Sequence, residues 1–116
     1  MLYFNVLAAA AIATGASAAA ITPRLAHLTD FRIFGAAGCG DKNLGIWTVV
    51  EGDVKAGECK GMNGNDVHSI LNVDIIKGCT LYAFTDDKCT YGKRVLEAGK
   101  CSSSDTGYKA WTISCA

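Results

Sequence analysis

The chain has 116 residues, 11 Lys plus Arg against 11 Asp plus Glu, six cysteines and one proline. This length suits one domain, and a balanced charge without a basic run excludes a protein built on phosphate contacts or a cationic membrane-disrupting peptide. Scattered glycines and a charged fraction of 19% exclude collagen, coiled coil and disorder.

Met1 to Ala20 contains no Asp, Glu, Lys or Arg. Its apolar run from Leu2 to Ala13 passes into the small residues Thr14, Gly15, Ala16, Ser17 and Ala18. Ala16-Ser17-Ala18 and Ala18-Ala19-Ala20 both have the small-x-small form of a signal-peptidase site, and the run falls short of the roughly 20 residues that span a bilayer. The reading is a secretory signal peptide over 1–20, an N-terminal arm over 21–30 and one domain over 31–116. With no second long apolar run and no Asn-x-Ser/Thr sequon, a secreted, extracellular chain without membrane anchor or N-glycan is expected. Pro23 to Leu28 is the only helical-looking piece beyond the leader, and it is too brief to stand as a helix.

An internal repeat organises the remainder. Phe31-Arg32-Ile33-Phe34 followed by Cys39 lies over Leu81-Tyr82-Ala83-Phe84 followed by Cys89, fifty residues on and without a gap. Gly45 to Val50 corresponds to Lys93 to Glu97, and each leads to a glycine-bearing turn and a cysteine, Gly57-Glu58-Cys59 and Gly99-Lys100-Cys101. His68 to Val73 and Ala110 to Ser114 close the halves. The runs are short, rich in Val, Ile, Thr and aromatics, and separated by Gly, Asn, Asp and Ser, so they read as strands. Trp111, Ile113 and Cys115 share one face at period two. The expected fold is all-β: two four-stranded Greek-key motifs, about 31–73 and 79–115, forming one sandwich.

Cys39, Cys59, Cys79, Cys89, Cys101 and Cys115 form an even set in a small secreted chain, which reads as three disulfides. Zinc needs close pairs, and here the nearest two cysteines are ten positions apart. In a Greek key the fourth strand runs antiparallel beside the first, which pairs Cys79 with Cys115. Repeat symmetry then suggests Cys39–Cys59 and Cys89–Cys101, each inside its own half.

Phe84 to Gly92, an aromatic, a turn, Cys89 and then glycine, resembles the folded hairpin of the βγ-crystallin superfamily, and Phe34 to Gly40 is a looser copy. The resemblance spans Phe31 to Cys115 and implies a crystallin-like sandwich. It also implies a calcium turn: Asn65, Asp66 and Ser69 match the family's Asn/Asp, Asn/Asp, x, x, Ser/Thr-Ser signature, although Ile70 replaces its last serine. Calcium is the one cofactor it suggests. The leader, six cysteines and two such units are together similar to small secreted cysteine-rich proteins of filamentous fungi.

No G-x-S-x-G, H-E-x-x-H or phosphate loop is present, and no spacing joins His27 and His68 to Glu58 or Arg94 as an acid–base set. The expectation is a binding protein, not an enzyme: a monomeric fungal effector or elicitor-like protein acting on a host's extracellular protein or cell-wall component. The alternative is an antimicrobial or killer-toxin-like protein aimed at competing microbes, and the third option a small secreted hydrolase. Among the aromatics, Trp47 and Trp111 are expected in the core, and the loop-adjacent Tyr91 and Tyr108 at a contact surface.

Overall fold

A computed structural model describes residues 26–116. The expected signal peptide over 1–20, and the arm as far as residue 25, lie outside the described residues. Eight strands follow in order: β1 (His27–Phe34), β2 (Asn43–Val50), β3 (Lys60–Gly61), β4 (Val67–Ile75), β5 (Cys79–Phe84), β6 (Arg94–Val95), β7 (Cys101–Tyr108) and β8 (Ala110–Cys115). They form two four-stranded sheets, β2-β1-β4-β7 and β3-β8-β5-β6, with every neighbouring pair antiparallel.

The core lies between the sheets and follows the period-two pattern. Phe31 and Ile33 of β1, Ile70 of β4 and Leu81 and Ala83 of β5 are wholly buried, and Trp111 and Ile113 of β8 pack with them. A buried Phe, Leu or Ile side chain of this kind contributes about 1.5–3 kcal/mol. β1 starts earlier than the sequence suggests, because the alternation runs back through Thr29. That residue is completely buried, and its hydroxyl donates to the Asp74 carbonyl (2.7 Å) and to Asn72 Oδ1 (3.2 Å). A polar residue facing inward hid the first half of the strand, so residues 27–30 belong to the sheet and not to an arm.

The two halves are built alike, with β5 to β8 repeating β1 to β4. In each half the fourth strand lies beside the first, and the third leaves for the opposite sheet: β3 joins β8, and β7 joins β4. The loops after β1 and β5 fold the same way, for Cys39 and Cys89 both take the left-handed backbone conformation (φ 55° and 56°). In the first loop Gly35 N–H donates to the Lys42 carbonyl (2.8 Å), and in the second Thr85 N–H donates to the Tyr91 carbonyl (3.0 Å).

This exchange of third strands corrects two of the three expected bridges. Cys79–Cys115 is present, where the first pair of the β5–β8 ladder brings the residues opposite each other. The others are Cys39–Cys101 and Cys59–Cys89, not Cys39–Cys59 and Cys89–Cys101. Each joins the hairpin of one half to the third strand, or the approach to it, of the other. The repeat symmetry is kept, but it operates between halves.

Candidate functional site

Where β2, an edge of one sheet, approaches β3, an edge of the other, the sandwich opens into a cleft of about 700 Å³. Two tryptophans line it. Trp47 faces inward from β2, opposite Phe31 of β1; Trp111 faces inward from β8, paired with Lys60 on one side and Ala83 on the other. Phe31 meets both indoles edge-on, at 5.5 and 5.2 Å between centroids, and the indoles are 6.3 Å apart. Trp47 is half-buried and Trp111 is 5% exposed. Trp111 Nε1 is buried without a hydrogen-bond partner, a state that costs about 1–3 kcal/mol for a polar group.

Asp53, Glu58, Lys60 and Asn63 supply the polar lining. The segment between β2 and β3 is held by its own turns and by β8. Val50 N–H donates to Asp53 Oδ2 (3.0 Å), Lys55 N–H to Glu58 Oε1 (2.9 Å), and the Thr112 hydroxyl to the Glu58 carbonyl (2.7 Å). The Lys55 N–H, with help from the Lys60 ammonium 3.6 Å from Glu58 Oε2, holds the Glu58 carboxyl below its ordinary value. The Cys59–Cys89 bridge anchors the approach to β3. The cleft thus offers the open part of the Trp47 ring, backed by the buried Trp111, beside carboxylate, amide and ammonium groups, a combination suited to a ligand with an apolar face and hydroxyl edges.

The residues of the expected calcium turn are engaged separately. Asn65 Nδ2 donates back to the Met62 carbonyl (2.9 Å), and the exposed Asp66 pairs with His68 Nε2 (3.2 Å). Ser69, wholly buried, accepts from Cys39 N–H (2.9 Å) and donates to the Ala36 carbonyl (2.6 Å). Ser69 is therefore a brace for the first hairpin. The set is a poor fit to calcium, which takes six to eight oxygens.

The expected contact pair of Tyr91 and Tyr108 separates. Tyr91 is 70% exposed, whereas Tyr108 is 2% exposed and belongs to the core. Gly107 (φ 88°) lets the chain pass close to the Val67 carbonyl, which a side chain there would crowd, and this delivers Tyr108 inward. Its hydroxyl is satisfied by Ser102 Oγ at 2.7 Å.

Sequence reasoning placed Trp47 and Trp111 in the core, where they pack, but showed no sign of the cleft they line or of Asp53, Lys60 and Asn63 beside them. Their link to Trp111 depends on β3 crossing to the other sheet, and no local pattern signals that crossing. Compared with known proteins, the chain matches no family model, no curated protein and no solved structure.

Proposed function

We propose that this is a secreted, disulfide-stapled binding protein that works outside the cell as an effector or elicitor of the small cysteine-rich fungal kind. In this reading the Trp47–Trp111 cleft takes an uncharged saccharide of a cell wall, with the binding done without covalent chemistry. The observation that carries it is the half-open Trp47 indole, seated on the buried Trp111, with Asp53, Glu58 and Asn63 in one cleft. The carboxylates disfavour an acidic polysaccharide, and the Trp47 ring suits the C–H face of a neutral sugar. Three bridges among the described residues fit an oxidising, extracellular setting, and the signal-like residues 1–20 agree with it. We also read the fold as two Greek keys of the βγ-crystallin type. In support, the fourth strand lies beside the first in each half, and the loops at Cys39 and Cys89 fold alike.

The test titrates the oxidised protein with neutral cell-wall oligosaccharides while following tryptophan fluorescence, with polygalacturonate as the acidic control. Neutral saccharides are expected to shift the emission and polygalacturonate to leave it unchanged. Trp47→Ala should abolish binding, and with it any response of plant tissue to the protein. Saccharide binding undiminished in Trp47→Ala, or a protein that binds no wall material and draws no host response, sinks the proposal.

A further inference from the structure

On the outer face of the β2-β1-β4-β7 sheet, three metal-ligating side chains from two strands converge. His27 Nε2 lies 3.0 Å from Asp30 Oδ2 and 4.0 Å from Asp74 Oδ1, and all three donor atoms fall within 4.8 Å of one another. Regular strand geometry would not produce this, because side chains three apart point to opposite faces. Two register slips bring them together: one against β2 places an extra residue, Leu28, in β1 between His27 and Thr29, and the other places an extra residue, Val73, in β4 opposite the step from Asp30 to Phe31. The second slip also turns Asp74 outward, although Asn72, two residues before it, faces the core. Bulges of this kind re-aim side chains and occur often beside functional sites.

The slips set Asp30 directly opposite Asp74 in the ladder. Like charges in that position repel, so the arrangement favours a cation between the carboxylates. The ligands are also held from behind. The Thr48 hydroxyl donates to Asp30 Oδ1 at 2.6 Å, leaving Oδ2 turned to the imidazole, and the Thr29 hydroxyl fixes the Asp74 carbonyl. Outer-shell bonds of this sort orient metal-binding carboxylates. Donors about 2.0–2.2 Å from a tetrahedral zinc ion stand roughly 3.3 Å apart, which the observed 3.0 and 4.0 Å straddle.

We propose that His27, Asp30 and Asp74 form a zinc site, with three protein ligands and a fourth position open to solvent. The imidazole nitrogen selects zinc and its transition-metal neighbours over calcium and magnesium, which prefer oxygen alone. The other histidine supplies an internal control, since among the described residues His68 meets one carboxylate, Asp66, and belongs to no three-donor group.

The test is calorimetric titration of the oxidised, chelator-washed protein with zinc chloride, repeated with calcium chloride. Cobalt(II) absorption reports the coordination. One zinc per chain is expected, with a visible cobalt band of tetrahedral intensity. His27→Ala and Asp74→Asn should each weaken zinc binding at least tenfold and remove the band, while His68→Ala leaves both unchanged. All three side chains lie at least partly open to solvent, so near-ultraviolet circular dichroism checks that the variants keep the fold. Absence of zinc binding at millimolar concentration, equal affinity in His27→Ala, loss of binding in His68→Ala, or tighter binding of calcium than zinc would each overturn the site.

Discussion

Single side chains decide how the hairpins are held, and the two halves do it differently. Phe34 stands opposite Ser69 in the β1–β4 ladder, and Phe84 stands opposite Ala110 in the β5–β8 ladder. Only the first half therefore has a hydroxyl at that place to tie its loop. Ser69→Ala leaves the Ala36 carbonyl and Cys39 N–H without their partner, so a loss of about 1–3 kcal/mol in denaturant unfolding is expected. The second hairpin is held from within by Asp86, whose carboxylate accepts from the N–H groups of Tyr91 and Thr90 (both 2.9 Å) and Lys88 (3.3 Å). The Tyr91 N–H, chief among these donors, lowers the Asp86 pKa from its ordinary value. Asp30 is lowered as well, first by the Thr48 hydroxyl. A carboxyl held lower in the folded state gives stability that is complete above its unfolded value and fades as pH falls through the folded one. The unfolding midpoint should hold steady at neutral pH and drop below about pH 4. Asp86→Asn should start from a lower midpoint and lose less on acidification; an identical acid profile in the variant would remove Asp86 from the account.

At the scale of strands and hairpins, the feature that governs most is the exchange of β3 and β7 between sheets. The repeat of Phe34 on Phe84 and Cys39 on Cys89 was legible because identical spacing in two halves survives without any knowledge of the sheets. The all-β class was legible for a similar reason: short β-branched and aromatic runs announce themselves locally. Cys79–Cys115 was legible from the antiparallel first and fourth strands, but the other two bridges were not, because bonding within each half and bonding between halves satisfy the same symmetry, and only the path of the third strand distinguishes them. β3 has two residues, Lys60 and Gly61, too few to carry any periodicity. Tyr108 was misplaced for the same cause: its burial comes from β7 lying against β4, and its neighbourhood in sequence is a turn. Mass mapping of unreduced peptides should find Cys39 linked to Cys101 and Cys59 to Cys89. Replacing Cys59 and Cys89 together by Ala should cost about 4 kcal/mol, as expected for a bridge spanning 30 positions. It should also loosen the approach to β3, so Trp47–Trp111 fluorescence should become easier to quench. Unchanged stability in this variant would mean that the unfolded chain is already compact there.

In the whole molecule, no half stands alone. The first half lacks a strand for the β4 edge and the second lacks one for the β8 edge, and each is completed by the other. Buried polar groups reinforce the union: Asn72 of β4 donates to the Leu96 carbonyl (2.7 Å), and its own carbonyl accepts from Gly99 N–H (2.6 Å), both in the second half. The described part should therefore unfold in one cooperative step, seen as coincident transitions by tryptophan fluorescence and far-ultraviolet circular dichroism. The same interlocking has a consequence for survival among digestive enzymes. The bond from Cys39 to Cys101 encloses the one from Cys59 to Cys89, and the bond from Cys79 to Cys115 straddles the end of the first. A protease that cuts one peptide bond anywhere from Cys39 to Cys115 still leaves a single covalent molecule. Nicked protein should run as one band on a denaturing gel and separate only on reduction. Bridges confined to each half would have allowed a single cut between Cys59 and Cys79 to set the two halves adrift.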